Sequence, residues 1–184
     1  MNILVHICCA PCVIYTLERL RKVGHLVGGF FYNPNIHPYS EYLKRKEALE
    51  KYSTAAGLKV TYASYDIEDY FQHIVYNEAL KTRCPVCWWL RVERTAEFAK
   101  GNGFDAFTTT LLASPYQEHK VIANLCEDVA KRLDIKFYYE DFRIGFKDAH
   151  SQAKAKGIYC QNYCGCIFSE KERIEKKGHG KCSK

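Results

Sequence analysis

Apolar and polar positions divide the chain into short β-rich runs and longer stretches of helical period. Residues 2–8 (NILVHIC) are apolar and β-branched, the pattern of a strand buried on both faces of a parallel sheet. Val13, Ile14, Leu17 and Leu20 then recur at helical spacing until Gly24 closes the helix. Residues 26–32 (LVGGFFY) form a second strand, and Asn33-Pro34-Asn35 makes a turn after it. A helix from about Ser40 turns Leu43, Leu49, Tyr52 and Ala56 inward and stops at Gly57. Residues 58–65 alternate as a third strand that ends at Asp66.

The theme then repeats. Ile67, Phe71, Ile74 and Val75 suggest one helix or two short ones, and Pro85 can open the next helix, which runs to Gly101. Residues 104–111 (FDAFTTTL) are the fourth strand. Ser114-Pro115-Tyr116-Gln117 reads as a capping box with proline at the first helical position, and Val121, Ile122, Leu125 and Val129 mark the buried stripe that follows. Residues 135–140 make a fifth strand. Ser169-Glu170-Lys171-Glu172 caps a last polar helix, and a basic tail runs from about residue 170 to 184. Five strands alternating with helices predict the α/β class, a doubly wound parallel sheet in one domain over residues 1–184.

Sites in such sheets lie beyond the carboxyl ends of the strands. Strand one delivers Cys8, Cys9 and Cys12 there, strand two Asn33, strand three Asp66, strand four Thr110 and Ser114, and strand five Asp141. The first cysteine group thus takes the place where a nucleotide-binding sheet carries its phosphate loop.

Composition narrows the class. With 47% hydrophobic and 26% charged residues, long disorder is excluded. No apolar run approaches the ~18 residues of a membrane span. The first apolar run has no basic residues before it, so it reads as a strand and the expected compartment is the cytoplasm. A net charge of +6 permits an anionic partner without requiring one.

The ten cysteines change the picture most. In a reducing compartment clustered thiols read as metal ligands or redox groups rather than disulfides. Seven fall in three groups: Cys8, Cys9 and Cys12; Cys84 and Cys87; Cys164 and Cys166. Cys9-Ala-Pro-Cys12 and Cys84-Pro-Val-Cys87 are both CxxC pairs beside a helix start, where the positive end of the helix favours thiolates. Four thiolates satisfy a structural zinc or one iron–sulfur cluster. Cys8 and the Cys164-Gly-Cys166 pair leave three clustered thiols over, which favours iron–sulfur chemistry. A thioredoxin-like dithiol would leave the second CxxC and the CGC unexplained.

Other features have plainer readings. Gly101-Asn102-Gly103 follows a helix and precedes a strand, the reverse of a dinucleotide loop. Cys126 lies on a buried stripe and reads as a core thiol, Cys182 in the polar tail as unliganded, and His6 as packing. Of Trp88 and Trp89, one belongs to the core and the other can stack a base. The Lys44-Arg45-Lys46 run reads as a solvated helix face with a capacity for phosphates.

Taken in order, the segments His6-Ile-Cys8-Cys9-Ala-Pro-Cys12, Phe31-Tyr-Asn33-Pro-Asn35-Ile-His37-Pro, Arg83-Cys84-x-x-Cys87, Thr108-Thr-Thr110-Leu-Leu-x-Ser114-Pro-Tyr116-Gln117, Tyr139-Glu-Asp141-Phe-Arg143 and Tyr163-Cys164-Gly-Cys166 resemble the cobalamin-independent epoxyqueuosine reductases. The likeness runs from Met1 to about Ser169. Cys160 departs from the family pattern, in which a basic residue more often precedes Gln161.

The resemblance implies a fold like the adenine-nucleotide-binding α/β enzymes, with cysteines in place of the phosphate loop. It implies an oxidoreductase of tRNA maturation that removes the epoxide oxygen of epoxyqueuosine at the anticodon wobble position, giving queuosine. The implied cofactors are a 4Fe–4S cluster and a nearby single iron held by cysteines and an aspartate, with an external one-electron donor such as a ferredoxin or flavodoxin. Spacing does not apportion the thiolates. The two CxxC pairs, Cys9/Cys12 and Cys84/Cys87, are the expected cofactor ligands, and Cys164 is a further metal ligand. Cys8, Cys166 and Asp66 are expected at the reacting centre, with Asp141 the second choice of carboxylate. Arg83, Arg91, Arg143 and the basic helix are candidates for phosphates, Tyr32, Tyr116 and Trp88 for stacking a base, and Asn33, Ser114 and Gln117 for further substrate contacts. The competing readings are a zinc-stabilised tRNA- or protein-binding module and a cysteine-based sulfur-transfer enzyme on tRNA, which would need an adenylating nucleotide loop.

Overall fold

A computed structural model describes residues 1–179. Five parallel strands, β1 (Asn2–His6), β2 (Leu26–Phe31), β3 (Val60–Tyr62), β4 (Ala106–Thr109) and β5 (Lys136–Phe137), form one sheet in the order β3-β2-β1-β4-β5. The helices between them are α1 (Ala10–Lys22), α2 (Tyr39–Ala55), α3 (Ile67–Ile74), α4 (Leu80–Gly101) and α5 (His119–Leu133). Two more, α6 (Phe146–Ala155) and α7 (Ile167–His179), follow the sheet. Helices α1, α2 and α6 pack on one another, as do α3, α4 and α5, so each group covers the sheet as a layer.

The apolar first run explains the centre of this arrangement. Ile3, Leu4 and Val5 are fully buried because both faces of β1 are covered. β1 pairs with β2 on one side (Val5 opposite Gly29) and β4 on the other (His6 opposite Thr109). The chain leaves β1 toward β2 and returns from β3 to β4, so the strand order reverses between β1 and β4. That reversal opens a crevice at their carboxyl ends.

Several sequence expectations are corrected. Pro85 lies inside α4, which begins at Leu80, so the proline removes one helical hydrogen bond and opens nothing. The 114–117 segment is a turn, with Ser114 Oγ accepting from the Tyr116 amide, and α5 begins at His119. β3 and β5 are shorter than their alternating runs, as suits sheet edges. Leu43 and Val121 face outward; Tyr42 and Arg45 on α2, and Ile122 and Cys126 on α5, fill the buried stripes. Helix α6 went unread, although Phe146, Ala149 and Ala153 carry its spacing. Cys182 and the end of the basic tail lie outside the described residues.

His6 ends β1 fully buried, with Nδ1 2.9 Å from Thr109 Oγ1 and Nε2 3.1 Å from the Tyr32 carbonyl. Burial pulls its pKa down to about 4. The unfolded chain therefore binds a proton that the native chain refuses, and His6 contributes stability above about pH 6.5 that is lost as the pH falls toward 4. Urea midpoints measured from pH 7 to 4 should show a loss from this group of about 3 kcal/mol, and His6→Gln should flatten that slope.

Candidate metal centre

β1 ends at His6, and Cys8 and Cys9 carry the chain across the sheet end to α1. Cys9 is the N-cap residue of α1 in extended backbone, φ −169°, and Cys12 lies in the first turn. The sulfurs of Cys8, Cys9 and Cys12 consequently fall within 4.8 Å of one another. Thr110, just past β4, closes the crevice from the other side: its hydroxyl accepts from the Cys8 amide at 3.0 Å and donates to Cys8 Sγ at 3.3 Å. Hydrogen bonds from Cys12 and Cys9 hold the Cys8 thiol well below its ordinary pKa, whereas burial pushes Cys9 up.

The second CxxC and the CGC meet in a separate cavity of about 220 Å³, lined by Cys84, Cys87, Cys164 and Cys166 together with Tyr70, Arg83, Trp88, Tyr116 and Gln117. Burial raises Cys84 to about 11 and Cys87 to about 12. A groove of about 500 Å³ beside Leu17, Arg21, Tyr52 and Lys156 is larger but contains no cysteine. Within the thiol cavity, Gly165 stands at φ +148°, and a Cβ there would lie 3.0 Å from Asn35 Nδ2 and 3.1 Å from Ile36 Cγ1. Only glycine lets Cys164 and Cys166 flank that bend.

Buried arginines fix these loops. Arg45 Nη1 donates to the Cys164 carbonyl at 2.9 Å and Nη2 to the Tyr163 carbonyl at 3.2 Å, while Nε pairs with Glu41 at 2.8 Å. Tyr159 donates its hydroxyl to the other Glu41 oxygen at 2.6 Å. Arg83, on α4 beside Cys84, pairs with Glu172 of α7 at 2.9 Å. Arg91, one turn beyond Cys87, donates Nε–H to the Cys87 carbonyl at 2.9 Å and Nη2–H to Cys87 Sγ at 3.2 Å.

Donors also reach most of the other sulfurs. Gln161 Nε2 lies 2.9 Å from Cys9 Sγ, Gln117 Nε2 3.4 Å from Cys164 Sγ, and the Ser169 amide 3.4 Å from Cys166 Sγ. Trp88 Nε1 donates to Gln117 Oε1 at 3.0 Å, which turns the amide nitrogen toward Cys164. Such donors hold sulfur as thiolate and tune any metal on it. No sequence spacing encodes an amide that bonds a sulfur 152 positions away, so the roles of Gln161, Ser169 and Arg45 were not legible.

Other predicted site residues separate by burial. Tyr32, Arg83, Arg91 and Trp88 are buried, and Asn33 donates to the Ile7 carbonyl within the core. Arg83 and Trp88 line the four-thiol cavity, where they bond Glu172 and Gln117, and Tyr32 lines the groove beside Asp66. Arg45 is removed from the basic face. Tyr116 is 85% exposed at the rim of the four-thiol cavity, edge-on to Phe146. Arg143 forks onto Asp141 at 2.8 and 2.5 Å and holds that carboxyl down to about 2, so Asp141 is engaged. Asp66 precedes α3, where its carbonyl accepts from the Tyr70 amide at 3.3 Å, but its side chain does not cap the helix and makes no hydrogen bond or ion pair among the described residues; it lines a groove with Tyr32 and Arg94, outside the three-sulfur group. Cys160 faces the Ile158 carbonyl and lines neither thiol group.

The donor set fits a thiolate-held metal: seven gathered sulfurs, donors aimed at them, and an unpartnered Tyr70 hydroxyl and Arg83 Nε at the cavity wall. A family model described as epoxyqueuosine reductase QueH matches residues 3–172. The chain belongs to the QueH family. Two relatives named epoxyqueuosine reductase QueH match most of its length. That of Dehalococcoides mccartyi is 37% identical over 95% of this chain and 96% of its own, and that of Thermotoga maritima 38% identical over 95% and 93%. Among solved structures, a predicted subunit of tRNA methyltransferase from Methanocaldococcus jannaschii superposes with TM-score 0.53 at 14% identity, over 83% of this chain and 74% of that one, and shares the fold.

For this QueH chain, Gly165→Val should displace both flanking thiols at a cost of about 1–3 kcal/mol in local strain. Far-ultraviolet circular dichroism should be unchanged, while bound metal per chain falls; a variant with full metal content would show that the bend is dispensable.

Proposed function

We propose that this chain carries out the reductive deoxygenation of epoxyqueuosine in tRNA, giving queuosine. The reaction takes up two electrons and two protons and releases the epoxide oxygen as water. Two thiol groups, Cys8, Cys9 and Cys12 at the start of α1 and Cys84, Cys87, Cys164 and Cys166 around one cavity, are the observation that supports this reading, together with membership of the QueH family. The four thiols of the cavity match the ligand count of a 4Fe–4S cluster. The Cys8, Cys9 and Cys12 trio matches a second iron with a position left open. Bound there, the cluster and the iron would supply single electrons and Lewis acidity.

The chain's own residues do the rest. Cys9, Cys12, Cys87 and Cys166 are buried, which keeps bulk water off the sulfurs. Tyr70 keeps its phenolic proton, because burial raises its pKa. Asp66, which lines the groove beside Tyr32 and Arg94, would supply the carboxylate for the second iron by turning toward the trio. Its support is a half-buried side chain at the carboxyl end of β3 that spends nothing on capping α3. Tyr116 at the cavity rim offers the incoming base a face to stack on, with the positive surface, Lys44 and Lys46 included, drawing the phosphates. Electrons arrive from an external one-electron carrier of the ferredoxin or flavodoxin class.

The test is anaerobic reconstitution with iron and sulfide, followed by incubation with reduced carrier and epoxyqueuosine-containing tRNA. Mass spectrometry should find the nucleoside lighter by one oxygen. A colourless zinc protein that binds the tRNA and returns the nucleoside unchanged would overturn the reading. Asp66→Asn should leave a folded, brown protein with about one iron fewer per chain and little turnover. Tyr116→Ala should keep its iron and lose about 1–3 kcal/mol in kcat/KM on tRNA.

A further inference from the structure

Of the three large guanidiniums buried against the thiol loops, two have carboxylates: Arg45 has Glu41 and Arg83 has Glu172. Arg91 is 2% exposed and has none among the described residues. Its hydrogen bonds go to the Cys87 carbonyl, which its own helix already uses, and to Cys87 Sγ. His6 cannot balance it, since an imidazole is neutral or positive; its ring nitrogens bond Thr109 Oγ1 and the Tyr32 carbonyl. An isolated charge so deep in a protein is costly unless something opposite answers it.

We propose that Arg91 is the built-in counter-charge of the metal centre, so that the metal-free fold carries a buried cation with no carboxylate partner, which loading neutralises. The inference rests on the reading of the thiols as metal ligands. Metal binding strips the protons from cysteines, and four thiolates around one divalent ion leave the site net negative. The charge that burdens the empty fold thus stabilises the loaded one. By reciprocity, any change in metal affinity caused by removing Arg91 equals the change in how far loading stabilises the fold. A residue that merely packs α4 would lower the stability of both forms alike.

The test uses the full chain with zinc as a redox-silent probe, in wild type, Arg91→Met and Arg91→Lys. Zinc affinity is read by chelator competition, and urea midpoints are taken with and without zinc. Arg91→Met should bind zinc 10–100-fold more weakly. Its metal-free form should unfold at the same or higher urea than metal-free wild type, and its loaded form at lower urea. Arg91→Lys, which keeps the charge, should recover much of the affinity. After iron–sulfur reconstitution, Arg91→Met should show a more negative midpoint potential. Equal destabilisation of both forms at unchanged affinity, or failure of Arg91→Met to fold without metal, would overturn the proposal. Wild-type protein that takes up neither zinc nor iron would instead overturn the metal reading beneath it.

Discussion

Positive charge buried against sulfur is the interaction on which the rest of this structure depends. Three guanidiniums lie in the interior at the carboxyl edge of the sheet, and each touches a segment that bears cysteine. Arg45 grips the carbonyls on either side of the CGC bend, Arg83 ties the second CxxC helix to α7, and Arg91 meets a sulfur directly. Burying arginine is expensive, so these contacts hold only if the loops are where the charges need them. The same contacts therefore order the metal site and make it sensitive to what the thiols carry.

The sheet supplies the place. Segments separated by most of the chain reach one crevice because the strand order reverses between β1 and β4. In nucleotide-binding proteins built on such doubly wound sheets that crevice receives phosphate on backbone amides at a helix start. Here the same helix start, Cys9 to Cys12 on α1, holds sulfur. A partial positive charge that would stabilise phosphate stabilises thiolate equally well, so the exchange needs little change in the fold.

Legibility followed the range of the interactions. The parallel sheet and its cysteines could be read because strand pattern and CxxC spacing are local signals, and Cys126 and His6 behaved as their surroundings suggested. Errors arose where a distant partner decided. Arg45 looked like part of a solvated run until Glu41 and the Tyr163 and Cys164 carbonyls claimed it. Tyr32 and Trp88 read as exposed rings in the sequence, whereas the fold buries both, and Trp88 Nε1 donates to Gln117. The Ser114-Pro115 capping box failed because the loop after β4 turns once more to place Tyr116 and Gln117 over the four-thiol cavity. Asp66 kept its candidacy for a reason no spacing reveals: its carboxylate is left uncommitted.

Two distinct thiol groups, in this account, hold a four-iron cluster and a single iron. Mössbauer spectroscopy of anaerobic, iron-57-reconstituted wild-type protein tests it most directly, because cluster iron and a single iron give separate quadrupole signals. The account predicts both signals in one protein, with areas of about four to one. A single signal that accounts for all the bound iron would contradict it.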